Sequence, residues 1–593
     1  MVAQAVILAG GKGERLASRL GGRPKPLVDV LGTPLLERQL AALEAAGFSR
    51  ALVLVNHEAG QIERFLQGRP ASRLEVTLID DGEPRGTAGA VLNVLPRLEE
   101  DFLVVYGDTL FDVDLARFVR FHAEDPGAAA SLFVHPNDHP WDSDLLEVDE
   151  AGLIVAFHPC PHPQGAWLAN RVNAALYLVR RRALQALRPN AGSGACDFAK
   201  DVFPTMLAGG GRLRAYLCGE YIKDIGTPER LDRACEDVAS GRVARASLRH
   251  RQRAVFLDRD GVLNALNGFV ATPEQLKVFP FAAEAVRLIN RSGARAVLAT
   301  NQPVVARGEC TSAGLAKVHA KLETVLGQGG AYLDRIYYCP HHPDAGFPGE
   351  IAELKVACDC RKPKPGLLLA ARDELNIDLS QSWMMGDRAA DQMAARACGV
   401  AFVLIRAGQA DAALEASSDF AFDDLRQAAV FITQAYPRIA ERLETVVETS
   451  EAGGEWFIAG GGGSEKTLAS VLARELRGLG HVTTIVALDA SSPQSLPTAG
   501  HAAASMDIKE ALLTYHRERR RLSGEQAADW KTIILWAGDA ALAVARAAGV
   551  LDRCILLEGA QGGEELTLRD EGRPGAIPFI ISLEGCFEAP VAP

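Results

Sequence analysis

The sequence predicts an α/β protein of three units with mostly parallel sheets. Three observations carry this. Apolar, strand-like runs at 51–55, 102–106, 296–299 and 484–488 alternate with helical patterns along the chain, the order that gives parallel strands joined by crossover helices. Three stretches each open with such a strand, followed at once by a loop or strand end suited to phosphate. At 593 residues the chain is also too long for one hydrophobic core.

The boundaries follow from composition. Residues 238–253 are rich in Arg and Ala, end a helical pattern and precede a new strand. A second boundary falls near Pro437, before a helix that leads to Gly453 and Gly454. The expected units are 1–240, 250–435 and 436–593. A net charge of −12, spread along the chain, argues against a nucleic acid or an acidic membrane as the main partner. No apolar run approaches the ~20 residues that span a bilayer. Ala5, Val6, Ile7 and Leu8 run straight into a glycine loop, so they read as a buried strand rather than a secretion signal. Eleven cysteines do not form a disulfide framework in a chain of this size, and a reducing, cytoplasmic location is expected.

The first strand leads into Leu8, Ala9, Gly10, Gly11, Lys12 and Gly13, followed by Arg15 and Lys25. Glycines after a strand let backbone N–H groups approach phosphates, and Arg15 and Lys25 can neutralise triphosphate oxygens. Alone, this loop reads equally well as a plain strand-to-helix turn. Gly86, Thr87 and Ala88 add a second small-residue loop, and Asp108 and Asp224 add two carboxylates, which with phosphate oxygens suit Mg²⁺. The run from His135 to Pro140 reads either as a solvated loop or as a lid over a sugar site.

In the second unit, Asp258 and Asp260 follow an apolar strand. One carboxylate can attack phosphorus while the other serves as acid and base. Thr300, Asn301 and Gln302 end the next strand, Lys362 follows Arg361, and Asp387 and Asp391 end a later strand. Cys339, His341, Cys358 and Cys360 form two close pairs whose softness and number suit a closed tetrahedral Zn²⁺ site, with His342 as an alternative ligand.

In the third unit, residues 457–467 nearly form a nucleotide loop, but Glu465 stands where the pattern needs glycine before Lys466 and Thr467. Asp489 and Asp539 read as either bases or strand-end caps.

Together these motifs resemble known families. The first unit resembles the sugar-1-phosphate nucleotidyltransferases, with a glycosyltransferase-A-like fold. The resemblance implies Mg²⁺ at Asp108 and Asp224, phosphates held by Arg15 and Lys25, nucleotide on Leu8, Ala9, Gly10, Gly11, Gly13, Gly86, Thr87 and Ala88, and sugar at Asn173. Many relatives carry Glu-Lys-Pro where this chain has His158, Pro159 and Cys160, so another cation, His158 or Arg171, is expected at the sugar phosphate. The second unit resembles the haloacid dehalogenase superfamily, and within it the D-glycero-D-manno-heptose 1,7-bisphosphate 7-phosphatases and histidinol-phosphate phosphatases. That implies Asp258 as nucleophile and Asp260 as acid/base. It implies Mg²⁺ at Asp258, Asp387 and the Asp260 carbonyl, with Asp391 behind them or on a metal-bound water. Thr300 or Asn301 and Lys362, rather than Lys364, hold the phosphoryl group, and Arg361 reads a phosphate at C1. The third unit resembles P-loop kinases in degenerate form. All three are Rossmann-like.

The expectation is therefore a bifunctional enzyme of nucleotide-activated heptose synthesis. It removes the C7 phosphate and then transfers a nucleotidyl group, GMP from GTP, to heptose 1-phosphate. The alternatives are the same chemistries on another phosphosugar or histidinol phosphate, or a partly inactive assembly protein. Expected partners are a phosphosugar and an NTP, without nucleic acid or membrane. A homo-oligomer is compatible with the sequence.

Overall fold

In a computed structural model of the chain, the residues described are 2–11, 13–56, 59–187, 195–346, 348–407 and 411–441, then 455–460, 471–472, 474–475, 482–489, 530–537, 554–558 and 579–582.

The first unit is built on a nine-stranded sheet. Gln4–Leu8 lies between Arg50–Val55 and Asp101–Tyr106, parallel to both, and Glu75–Asp80 extends that half in parallel. Side chains alternate across the sheet, so Ala5 and Ile7 enter one core and Val6 the other. Both faces are covered, which is why the first strand is apolar after Gln4 rather than alternating. The other half is mixed, with Leu213–Leu217 parallel to Ala130–His135. Val172–Arg180 runs antiparallel to Asp101–Tyr106 and to Ala130–His135. Its register shifts between Asn173 and Tyr177, where Ala175 has a φ of 54°. Such a bulge bends a strand locally.

A short antiparallel pair, Thr109–Asp112 with Tyr221–Asp224, places Asp224 opposite Thr109. The Ile225 N–H donates to the Asp108 carbonyl at 3.0 Å. This pairing brings together two carboxylates that are remote in sequence. The helix Pro228–Ala239 follows, started by Thr227, whose hydroxyl accepts from the Arg230 N–H at 3.3 Å, and by Pro228 in the first turn. Leu231, Ala234 and Val243 pack with Leu16 and Leu20, so the end of this unit packs against the turns that follow the glycine loop.

The second unit has a six-stranded sheet, parallel throughout, in the order Arg335–Cys339, Arg295–Asn301, Ala254–Leu257, Trp383–Gly386, Ala401–Ile405, Phe420–Phe422. The order reverses beside Ala254–Leu257, and in such sheets the crevice at the carboxyl ends there is the usual site. Buried apolar clusters cover both faces. Beyond it, five parallel strands run Val482–Asp489, Trp530–Ala537, Glu455–Gly460, Cys554–Glu558, Phe579–Ser582. The central strand ends at Gly460. The glycine run after it, including Glu465, Lys466 and Thr467, and also Asp539, lies outside the described residues. Val471 and Leu472 are buried in the core of the second unit, and Arg474 stacks 3.7 Å over the Trp383 ring. Among the described residues no helix is long and apolar enough to cross a membrane.

Candidate active sites

In the second unit, the N–H of Asp258 donates to the Met385 carbonyl at 3.0 Å, which fixes the nucleophile candidate at the sheet's carboxyl edge. Lys362 Nζ lies 3.0 Å from Asp258 Oδ1 and 2.5 Å from Asp391 Oδ1, and donates to the Ala299 carbonyl at 2.7 Å. Burial would lower the Lys362 pKa, but Asp258 and Asp391 outweigh it and hold the ammonium charged. Lys364 instead pairs with Asp359 on the surface, so the chain's lysine for this site is Lys362. Asp258, Asp387 and Asp391 each offer an oxygen within 4.8 Å of the others. Burial, then Asp258 and Asp391, push the Asp387 carboxyl up to about 7. Asp387 Oδ1 is buried without a hydrogen-bond partner. Three carboxylates against one buried lysine and the exposed Arg388, 3.7 Å from Asp387, with an orphaned oxygen among them, fit a hard divalent cation.

Glycines make this closeness possible. A Cβ on Gly261, whose φ is +85°, would lie 2.5 Å from Asp387 Oδ2, and one on Gly386 would lie 2.4 Å from the Asp391 Cβ. Asp260 stands apart from the trio. Its carboxylate accepts from Arg259 Nη2 at 3.0 Å, Asn264 Nδ2 at 2.9 Å and Gln302 Nε2 at 2.9 Å. That cage fixes the orientation of the carboxylate. Thr300 is buried, and its hydroxyl accepts from Gln302 Nε2 at 3.0 Å.

Cys339 Sγ lies 3.5 Å from Cys358 Sγ, which lies 3.3 Å from Cys360 Sγ; His341 Nδ1 is 3.3 Å from Cys360 Sγ and 3.7 Å from Cys339 Sγ. A tetrahedron with metal–sulfur bonds of about 2.3 Å has edges of about 3.7 Å, so the four donors have the dimensions of one closed site. His342 turns away, accepting from the Asp344 N–H at 3.1 Å. Arg361 is tied to this cluster through the His341 carbonyl at 3.2 Å.

In the first unit two cavities meet at Tyr106 and Asp108. One, of about 310 Å³, is lined by Leu8, Ala9, Gly10, Gly11, Gly13, Lys25, Gly86 and Thr87. The other, of about 300 Å³, is lined by Asn173, Asp224, His139, Lys223, Arg230 and Arg233 among others. Lys25 Nζ pairs with Asp108 at 2.6 Å, and Arg230 Nη1 with Asp224 at 2.6 Å. A Cβ on Gly226 would lie 2.8 Å from Asp224 Oδ1, 3.1 Å from Lys25 Nζ and 3.3 Å from Arg15 Nη2. The predicted cations and carboxylates therefore converge where the cavities join. Asn173 lines the second cavity, and its Oδ1 is a buried acceptor without a hydrogen-bond partner.

Comparison with known proteins matches this arrangement. Residues 4–241 fit the family model for nucleotidyl transferases, and 359–428 fit that for HAD-hydrolase-like proteins. The D-glycero-beta-D-manno-heptose-1,7-bisphosphate 7-phosphatase of Vibrio cholerae serotype O1 is 43% identical over 157 residues, 26% of this chain and 82% of that protein. Its counterpart in Escherichia coli K12 is 41% identical over 157 residues, 26% of this chain and 80% of that one. The chain belongs to this phosphatase family. It is an enzyme in which the heptose-bisphosphate phosphatase homology is fused to a nucleotidyl transferase domain. The crystal structure of HddC from Yersinia pseudotuberculosis is 27% identical, covering 40% of this chain and 100% of that one, with a TM-score of 0.34.

Against this phosphatase–transferase frame, several sequence expectations need correction. Ala88 does not line the first cavity: its side chain is buried in the core and its N–H donates to the Cys196 carbonyl at 3.0 Å. Asn301 spends its side chain on the Lys362 backbone, accepting its N–H at 3.0 Å and donating to its carbonyl at 2.9 Å. It aims the lysine rather than the phosphoryl group. Asp391, expected behind the metal ligands or on a metal-bound water, joins the carboxylate trio itself. His158 pairs with Glu147 at 3.3 Å and Arg171 donates to the Val148 carbonyl at 2.8 Å; neither lines the second cavity. Arg230 and Lys223 do. The cap at Thr227 was the signal for Arg230, since it sets that residue in the first turn beside Asp224.

Proposed function

We propose that the chain dephosphorylates D-glycero-D-manno-heptose 1,7-bisphosphate at C7 and transfers GMP from GTP to the resulting heptose 1-phosphate, releasing pyrophosphate. The observation that supports this is the presence of two separate, full sets of charged groups in one chain. The first leaves a C1 phosphate that the second consumes.

In the phosphatase, the Asp258 carboxylate attacks phosphorus and Asp260 gives a proton to the departing C7 oxygen. Asp260 then takes a proton from water, which attacks the aspartyl phosphate and frees inorganic phosphate. Lys362 offsets charge on the transferring group, and Asn301 fixes its position. Mg²⁺ held by Asp258, Asp387 and Asp391 would supply further neutralisation. Arg361 is placed to meet the C1 phosphate, and Cys339, His341, Cys358 and Cys360 would hold a structural Zn²⁺ that orders its loop.

In the transferase, an oxygen of the sugar 1-phosphate attacks the α-phosphorus in line and pyrophosphate leaves. The protein positions both partners and neutralises charge. Arg15 and Lys25 grip the triphosphate; Gly10, Gly11 and Gly13 leave backbone N–H groups to it; Gly86 and Thr87 border the base; Asn173 meets the sugar. Asp108 and Asp224 would share Mg²⁺ with the phosphates. Arg230 takes the place of the missing lysine at the sugar phosphate. The choice of GTP rests on the family resemblance of the first unit and not on a residue that reads guanine. The third unit serves assembly or regulation rather than NTP turnover, because Glu465 opposes phosphate.

The test incubates the purified chain with the heptose bisphosphate, Mg²⁺ and each NTP separately, with products read by mass spectrometry. Phosphate release, followed by GDP-heptose with GTP alone, is the expected result. Asp258→Asn should abolish phosphate release yet leave transfer to supplied heptose 1-phosphate. Asp108→Ala should do the reverse. Loss of both activities in either variant refutes the separation of sites, and no turnover at all refutes the heptose reading.

A further inference from the structure

The second cavity of the transferase is walled on one side by a loop, residues 136–144, which contributes Asn137, His139, Asp142, Ser143 and Asp144. The loop is fastened internally and to residue 170. Asn137 Nδ2 donates to Ser143 Oγ at 2.9 Å and Asn137 Oδ1 accepts from the His139 N–H at 3.1 Å. The Asn137 N–H donates to Asn170 Oδ1 at 3.1 Å, and Asn170 Nδ2 donates to the Asn137 carbonyl at 2.7 Å. Its Asp142 carboxylate lies 3.0 Å from Arg230 Nη2, so the loop's position sets where that guanidinium points.

What holds this wall belongs to the other enzyme. The phosphatase helix Ser312–Gln328 reaches across to it at two points. The Leu168 N–H donates to Thr324 Oγ1 at 3.1 Å, and Thr324 Oγ1 lies 3.0 Å from the Leu168 carbonyl that it can donate to. One turn further, Gly327 faces Pro140 so closely that a Cβ there would lie 2.5 Å from the proline Cγ. Only a glycine lets the helix come this near. Lys321, 5.3 Å above the Trp167 ring, closes the same seam. The helix runs back from the carboxyl edge of a parallel sheet, so Gly327 lies about 22 Å along it from Ser312, away from the phosphatase carboxylates.

We propose that this phosphatase helix, through Gly327 and Thr324, positions the sugar-phosphate wall of the transferase, so that the affinity of the transferase for its sugar 1-phosphate depends on the phosphatase unit. The inference rests on the second cavity being the sugar-1-phosphate site. Gly327 and Thr324 are positioning residues. They act through Pro140, Leu168, Asn170 and Asn137, and neither is part of the phosphatase's reacting set.

The test is steady-state kinetics on the full chain carrying Gly327→Ala, with heptose 1-phosphate and GTP for transfer and the bisphosphate for hydrolysis. Alanine favours a helix over glycine, so helix loss is not the expected outcome. The collision with Pro140 should raise KM for heptose 1-phosphate roughly tenfold, as overpacking does, with KM for GTP and phosphatase kcat/KM unchanged. Adding Pro140→Ala, which removes the colliding ring atoms, should restore KM. Thr324→Val should move the same constant in the same direction. Unchanged KM in Gly327→Ala, or an equal loss in both activities, overturns the inference while leaving the two-enzyme reading intact. If the unmodified chain itself does not transfer to heptose 1-phosphate, the reading of the cavity fails, and the inference with it.

Discussion

Arg295 offers a quantitative test of how the two enzymes are joined. It begins a phosphatase strand, and its guanidinium is spent almost wholly on its neighbours. Nε donates to Gln252 Oε1 at 3.2 Å, Nη1 to Asp334 Oδ1 at 3.0 Å and to the Gly219 carbonyl, and Nη2 to the Ala246 carbonyl. Gly219 belongs to the transferase and Ala246 to the connecting segment. Side-chain exposure is 7% for Arg295 and 2% for Asp334. A Cβ on Gly219 would lie 2.6 Å from Asp334 Oδ1, so the seam admits no extra atom. Arg295→Met keeps the apolar stem and removes the donors. It leaves Asp334 buried and unpaired, which costs about 3–5 kcal/mol, a large share of the 5–15 kcal/mol typical of a domain. Adding Asp334→Asn removes the stranded charge. Its amide oxygen can still accept from the Ala296 N–H, now bonded to Asp334 Oδ2 at 2.8 Å. The double variant should therefore recover about 1–3 kcal/mol. Urea unfolding, with phosphatase activity as one probe and tryptophan emission as another, measures both. A single variant within about 1 kcal/mol of the parent, or a double variant less stable than the single, refutes the reasoning.

Lys362→Met should lower phosphatase kcat by about 10²–10³-fold, the usual cost of removing one charge-stabilising donor, whereas Lys364→Met should leave it unchanged in the same phosphate-release assay. Cys360→Ser should remove one tightly held zinc, read by elemental analysis, and lower phosphatase but not transferase activity. Glu323, facing Arg171, the Asn170 N–H and Arg335, has its carboxyl pushed up to about 7 by burial. Its folded pKa lies above the unfolded value, so its contribution is greatest below about pH 4.5 and is lost as pH rises through 7. Glu323→Gln should therefore gain on the parent by roughly 1–3 kcal/mol between pH 5 and pH 8, and parallel melting curves at the two pH values would refute this.

The sequence carried the parts of each site that sit at strand ends. Leu8 to Gly13, Asp108, Asp258 and Asp387 each follow a short apolar run, so type and place could be read together. The fold class was legible for the same reason. What escaped was set by long-range geometry. Arg230 became the cation beside Asp224 because a helix cap aims it back at the strand before. Asn301 was drawn to the Lys362 backbone, which a linear reading cannot see. Ala88 turned inward because Cys196, far downstream, occupies the side that Gly86 leaves open: a Cβ on Gly86 would lie 2.4 Å from the Cys196 carbonyl oxygen. The antiparallel pairings in the first sheet centre on Val172–Arg180, whose apolar pattern does not specify them.

The two sites differ in charge balance, and that difference predicts when each takes its metal. In the transferase each carboxylate already has its own cation, Lys25 for Asp108 and Arg230 for Asp224. A divalent ion gains little there until triphosphate oxygens arrive to complete its ligands and draw the cations away. In the phosphatase three carboxylates share Lys362 and the exposed Arg388, 3.7 Å from Asp387, and burial together with repulsion from neighbouring carboxylates holds Asp387 and Asp391 above the usual carboxylate range. A divalent ion relieves that repulsion without any substrate. Mn²⁺ titrated into the substrate-free chain and followed by electron paramagnetic resonance should thus show one site tight enough to be filled first. Asp387→Asn should weaken it by at least about tenfold, since it removes a charged ligand, and Asp224→Asn should leave it unchanged. Adding a non-hydrolysable NTP should then create a second site that Asp224→Asn abolishes. A tight site lost in Asp224→Asn before any nucleotide is added would show that charge balance does not set the order of loading.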